Sequence, residues 1–209
     1  TRIVFLANPN NPTGTIYRKA TWEAFLKQVP PDVLIIVDEA YFEYVEAADY
    51  PNSLDYHQQG KTLLTLRTFS KLYGLAGLRI GYGIANEDII SLMHRVRQPF
   101  NVNAPAQWAA LAALNDSEHV RRSLDNNRQG LEYLTAEFAR MGIEFIPSHA
   151  NFILLRVGKG EDVFNRLLAQ GIIVRPMAGY QFPEYLRVTI GTMDENRKFI
   201  DGLKKAFGA

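Results

Sequence analysis

Three short, continuous apolar runs organise the first third of the chain: Ile3-Val4-Phe5-Leu6-Ala7, Val33-Leu34-Ile35-Ile36-Val37 and Thr62-Leu63-Leu64-Thr65-Leu66-Arg67. Runs of this length and β-branched content predict strands buried on both faces, as in parallel sheets. Between the first two, Arg18 to Val29 carries Trp22, Phe25, Leu26 and Val29 at helical spacing, and Pro30-Pro31 stops it. Arg79 to Ala85 predicts a further strand. Glu87 to Val96 predicts a helix whose apolar face is Ile89, Ile90, Leu92, Met93 and Val96. The pattern breaks at Gln98-Pro99-Phe100-Asn101-Val102-Asn103, and the domain boundary is placed there, dividing the chain into 1–103 and 104–209.

Beyond the break, Pro105 suits the first turn of an Ala-rich helix through Leu114. Ser117 is expected to cap a long helix to Met141, with Val120, Leu124, Leu131, Leu134, Phe138 and Met141 as its core stripe and Gly142 as its stop. Strands are expected at 143–146, 151–157, 172–175 and 185–190, with helices at 161–169 and 194–207. The fold class expected is therefore α/β: a mostly parallel sheet followed by a small α+β portion.

Each early strand ends in polar residues. Asn11 lies in the loop after the first, Asp38 closes the second, and Lys71 follows the third. They stand ~30 residues apart, the length of a βαβ unit. In open parallel sheets ligands bind beyond the carboxyl ends of the strands, so these three residues are expected to converge on one edge.

Composition narrows the chemistry. The 209 residues include 23 basic and 22 acidic side chains, a net charge of +1 with no long run of either sign, which gives no electrostatic reason to expect nucleic acid or an anionic membrane. No apolar run approaches the ~20 residues of a membrane span. The chain has no cysteine, which removes disulfides, thiolate metal sites and a cysteine nucleophile, and fits a reducing compartment. His57, His94, His119 and His149 show no metal-ligand spacing, and no metal is expected.

Thr68-Phe69-Ser70-Lys71-Leu72-Tyr73-Gly74-Leu75-Ala76-Gly77-Leu78-Arg79-Ile80-Gly81 combines a lysine after a hydroxyl residue, several glycines and an arginine eight positions on. This suits a lysine that meets an aldehyde while serine and arginine hold a phosphate. The stretch resembles the cofactor-lysine segment of the fold-type I aminotransferases, which use pyridoxal 5'-phosphate. Asn8-Pro9-Asn10-Asn11-Pro12-Thr13-Gly14 resembles the Asn-Pro-x-x-Pro-Thr-Gly signature of the same superfamily. Val174-Arg175-Pro176, Ala150-Asn151-Phe152 and Leu186-Arg187-Val188-Thr189-Ile190-Gly191-Thr192 narrow the likeness to the histidinol-phosphate aminotransferase family.

That resemblance implies roles. Lys71 forms the Schiff base and carries the proton. Asp38 keeps the ring nitrogen protonated. Asn11 and Tyr41 reach the ring oxygen. Thr68, Ser70 and Arg79 hold the cofactor phosphate. Arg187 grips the substrate's acidic group, with Asn11 beside it. Arg175 joins Arg187 on a phosphate or, alternatively, is an edge-strand charge facing solvent. Asp38 could equally cap a helix, and Tyr41 could be one aromatic among several.

The implied reaction moves an amino group between histidinol phosphate and 2-oxoglutarate, in a cytoplasmic homodimer of histidine biosynthesis. Aromatic aminotransferases and threonine-phosphate decarboxylases share the scaffold. A cofactor-binding effector domain of a transcription regulator is the reading of another class. Family members carry a long segment before the point matching Thr1, so the chain is expected to be a fragment that does not catalyse alone.

Overall fold

The computed structural model describes residues 1–59 and 61–208. They form two compact units, Thr1–Asn10 with Ile16–Val120 and Asn11–Thr15 with Arg121–Ala209.

The first unit is built on a four-stranded sheet. Strands β1 (Ile3–Ala7), β2 (Leu34–Asp38) and β3 (Leu63–Thr68) run parallel, and β4 (Gly81–Ala85) returns antiparallel beside β3. Helix α1 (Lys19–Gln28) makes the first crossover. Its Trp22 and Leu26 pack with Val33, Ile35, Val37, Tyr56 and Leu63 into one core. Trp22 stacks on Tyr17 at 5.5 Å and meets Tyr56 edge-on at 5.9 Å. Losing that ring is expected to cost ~3–5 kcal/mol. Among the described residues, the connection from β2 to β3 has no α-helix; it uses 3-10 turns at Phe42–Tyr44 and Ser53–Tyr56.

Strand β1 departs from the expectation of two buried faces. Among the described residues its outer positions Ile3 and Phe5 are 48% and 73% exposed, because β1 lies at the sheet edge and α1 covers only the other face. Helix α2 (Glu87–Val96) forms as expected and starts at Asn86, whose side chain accepts from Ile89 N–H at 3.0 Å, yet none of its residues is buried. In α3 (Ala104–Leu114), Asn103 supplies the cap and proline stands in the first turn.

Helix α4 spans Ser117–Arg140, but its N-terminal N–H of His119 is taken by Asp116 at 2.9 Å. The cap is therefore one residue earlier than the hydroxyl pattern suggested, since a carboxylate at that position competes successfully with Ser117.

The second unit holds an antiparallel sheet in the order β5 (Phe145–Ile146), β6 (Phe152–Arg156), β8 (Tyr185–Thr189), β7 (Arg175–Pro176). Helices α5 (Gly160–Leu168) and α6 (Met193–Phe207) share with α4 a core that includes Leu134, Phe138, Ile153, Leu186, Phe199 and Leu203. The strand expected over 172–175 shrinks to Arg175–Pro176: only these positions find partners on β8, and Ile173 is left exposed.

Candidate active site

In the first unit, register places the functional residues. Ala7 pairs with Asp38 across β1 and β2, and Asp38 with Leu66 across β2 and β3, so β1 and β2 end level and β3 continues past them to Thr68. Asn8, Asp38 and the segment 68–71 thus leave the sheet at the same carboxyl edge.

Asp38 is exposed there, one carboxylate oxygen accepting from Ala40 N–H at 3.0 Å. Tyr41 is buried, and Lys71 Nζ lies 5.3 Å from the centre of its ring. Thr68 Oγ1 accepts from Ser70 N–H at 3.0 Å and donates to Ile80 O at 3.5 Å, which shapes the turn that delivers Ser70 and Lys71. Arg79 is exposed and sits at φ 57°, with Nη1 donating to Ala76 O at 2.8 Å. A left-handed arginine costs of order 1 kcal/mol, and such backbone strain clusters where side chains must be aimed. Gly81 has a different reason: a Cβ there would stand 2.8 Å from Arg67 O on β3.

Sequence reading passed over two residues at this edge. Asn8 is buried and trades hydrogen bonds with the backbone of Tyr17, accepting at 3.0 Å and donating at 3.3 Å, while its own carbonyl accepts from Tyr50 Oη at 2.5 Å. It closes the base of the Asn-Pro loop. Burial and the charge of Glu39 hold the Tyr50 hydroxyl well above the ordinary tyrosine range.

Glu39 is the second, and its side chain is fully buried. One oxygen accepts from Ser53 N–H at 3.0 Å; the other takes Arg67 Nε and Nη2 at 2.9 and 2.8 Å. Arg67 also donates to Asn52 Oδ1 at 3.0 Å, and its guanidinium lies 3.8 Å over the Phe42 ring. Burial works against the Arg67 charge, but the hydrogen bonds and charge of Glu39 outweigh it and raise the guanidinium pKa. The only sequence signal was the Asp-Glu pair itself, in which strand alternation sends one acid outward and the other in.

In the second unit, Arg187 of β8 stands on the face opposite the buried Leu186 and Val188. Its direct cross-strand neighbour on β7 is Arg175, which is exposed. Arg187 Nη1 donates to Asn11 Oδ1, and the guanidinium lies 4.9 Å over the Phe152 ring. Its Nε is buried and has no hydrogen-bond partner among the described residues. Gly14, at φ 72°, ends the loop that carries Asn11; its carbonyl accepts from His149 N–H at 2.8 Å, and a Cβ would meet Ser148 Oγ at 2.1 Å. Two arginines directly opposite repel each other unless an anion lies with them, and a buried N–H without a partner asks for an acceptor. Among the described residues there is no cluster of three or more potential metal ligands and no helix long and apolar enough to cross a membrane.

Comparison with known proteins extends these local arrangements to the chain. A histidinol-phosphate aminotransferase of Akkermansia muciniphila is 49% identical over 205 residues, 98% of this chain and 56% of that protein. The crystal structure of a histidinol-phosphate aminotransferase from Sinorhizobium meliloti in complex with pyridoxal-5'-phosphate matches with TM-score 0.89 and 26% identity, over 99% of this chain and 57% of that one. An L-threonine-O-3-phosphate decarboxylase from Porphyromonas gingivalis matches with TM-score 0.82 and 27% identity, over all of this chain and 65% of that one. The chain thus spans about half the length of the curated relatives it matches. The fold, a parallel sheet followed by a small α+β portion, is that of the pyridoxal-phosphate-dependent aminotransferases. A model of the family described as "Aminotransferase class I and II" matches residues 1–203, and this chain belongs to that family.

Proposed function

We propose that the whole protein is a cytoplasmic, homodimeric aminotransferase that uses pyridoxal phosphate to move an amino group between histidinol phosphate and 2-oxoglutarate. Residues 1–103 would belong to its cofactor-binding domain and 104–209 to its small domain. The residues present fit the cofactor. An amine, hydroxyls and a carboxylate gather at one sheet edge, and a nearby arginine is held in a strained backbone conformation. When bound, the cofactor supplies an electron sink for the pair left at the substrate's α-carbon.

The chain's own side chains do the rest. Lys71 Nζ would hold the cofactor through its aldehyde and, as a free amine, would serve as the base that takes the substrate's α-proton and delivers it to the cofactor's aldehyde carbon. The Asp38 carboxylate favours the protonated ring nitrogen, and the Tyr41 hydroxyl serves the ring oxygen. By the family resemblance, the Asn11 side-chain amide would donate to the same oxygen. Ser70, Thr68 and Arg79 hold the cofactor phosphate.

One observation carries the choice of substrate: Arg175 and Arg187 stand directly opposite on neighbouring strands, with a buried Arg187 N–H that has no partner among the described residues. Two cations on one face suit a dianionic phosphate better than a monoanionic carboxylate. A phosphate alone does not separate an aminotransferase from a threonine-phosphate decarboxylase, and the fold matches both. The deciding experiment mixes the full-length, cofactor-loaded protein with histidinol phosphate and no keto acid. Stoichiometric loss of the lysine-bound cofactor's visible absorbance, restored by 2-oxoglutarate and absent in Lys71→Ala, is expected. Release of carbon dioxide from threonine phosphate instead would move the activity to the decarboxylase. Conversion only with an aromatic amino acid would keep the chemistry and overturn the substrate.

A further inference from the structure

The Glu39–Arg67 pair is out of place as a device for stability. Removing two charges from water is expensive, and buried ion pairs are often replaced by apolar residues with no loss of stability. What this pair has that an apolar pair would lack is directional fixing. Glu39 follows Asp38 directly, and its N–H donates to Leu66 O at 2.9 Å, tying the end of β2 to β3. Its carboxylate then grips Arg67, the residue before Thr68, at two points, and holds Ser53 N–H on its other oxygen.

Arg67 in turn covers Phe42, the residue after Tyr41, and Phe42 N–H donates to Glu39 O at 3.0 Å. Asp38 and Tyr41 are thus carried on a turn clamped on both sides by one guanidinium. The same guanidinium sits on the strand that delivers Ser70 and Lys71.

We infer that the Glu39–Arg67 ion pair is a positioning device that aims Asp38 and Tyr41 at the cofactor ring without touching it. The inference rests on the assignment of Asp38 and Lys71 given above. The test uses the full-length protein loaded with 15N-labelled pyridoxal phosphate. The double variant E39Q/R67M removes both charges of the pair together and keeps an acceptor for Ser53 N–H. Arg67→Lys, which keeps a cation against Glu39 but not the two-point grip, is the second variant.

The ring-nitrogen resonance reports how well Asp38 meets the ring. In E39Q/R67M it is expected to move toward the unprotonated position, with cofactor affinity reduced. Steady-state kcat for histidinol phosphate is expected to fall ~10²-fold, as for a small misplacement of a catalytic group, with KM unchanged. Arg67→Lys is expected to lie between wild type and the double variant on each readout.

Wild-type resonance and kcat in either folded variant would overturn the inference. Asp38→Asn, measured in parallel, separates the two claims. If it shifts the resonance while the pair variants do not, only the positioning role falls. If it leaves the resonance unchanged, the assignment of Asp38 falls and the inference with it.

Discussion

At the scale of single residues, the arginines give the sharpest expectations. Arg175→Met is expected to raise KM for histidinol phosphate about 10- to 100-fold, the equivalent of ~1.5–3 kcal/mol for a charged hydrogen bond, with kcat little changed. Steady-state kinetics on the full-length protein would check it, and an unchanged KM would return Arg175 to the solvent-facing reading its exposure also allows. Arg187→Ala is expected to do more, since it also strips Asn11 of its partner. The sequence carried much of this site. Lys71 is flagged by its neighbours Ser70 and Arg79, and Asp38 by its place at a strand end. Asn8 and Glu39 were missed because each works through burial, and whether a polar side chain at a strand end turns in or out is set by neighbours distant in sequence.

At the scale of elements, caps and close contacts decide. Helix α6 starts with a reciprocal capping box: Thr192 Oγ1 accepts from Glu195 N–H, and Glu195 Oε2 accepts from Thr192 N–H at 2.7 Å. Thr192→Ala is expected to destabilise the helix by about 1 kcal/mol, measurable by urea unfolding. The bonds from the Thr192 backbone and hydroxyl hold the Glu195 carboxyl below its ordinary range. A carboxyl lowered by folding adds stability above its unfolded pKa, near ~4.3, and loses it as pH falls through the lower folded value. Amide protection in the first turn of α6 is therefore expected to drop below pH ~4 in the wild type and to lose that dependence in Glu195→Gln.

In α4, an alanine at Gly130 would bring its Cβ to 2.3 Å from Ile190 Cγ2 and 2.8 Å from Asn196 Nδ2. Helix propensity gains ~1 kcal/mol, whereas overpacking against a stiff β-branched side chain costs ~1–3 kcal/mol. Gly130→Ala is expected to lower the melting temperature, and a rise would show that Ile190, just past β8, and Asn196 of α6 yield at that contact. Periodicity predicted the long helices well because their stripes are local. It overcalled the strand at 172–175, where pairing with β8 and not apolar content sets the length.

At the scale of the molecule, the apolar face of α2 stands out. Leu92 and Val96 are 59% and 83% exposed in a helix with no buried residue. The 209-residue chain by itself is expected to bind the dye ANS, and the variant L92K/V96K to bind less; equal binding would place the dye elsewhere. The sequence by itself determined the order of strands and helices, the carboxyl-edge location of Asp38 and Lys71, and the motifs that mark the family. Those depend on residues near one another along the chain: apolar runs, turn residues and their spacing. Only the tertiary structure decided that Arg175 and Arg187 face each other, that Glu39 is clamped by Arg67, and that β1 keeps one face open among the described residues. Register and burial are set by partners tens of residues away, and a one-residue slip would exchange every inward side chain for an outward one.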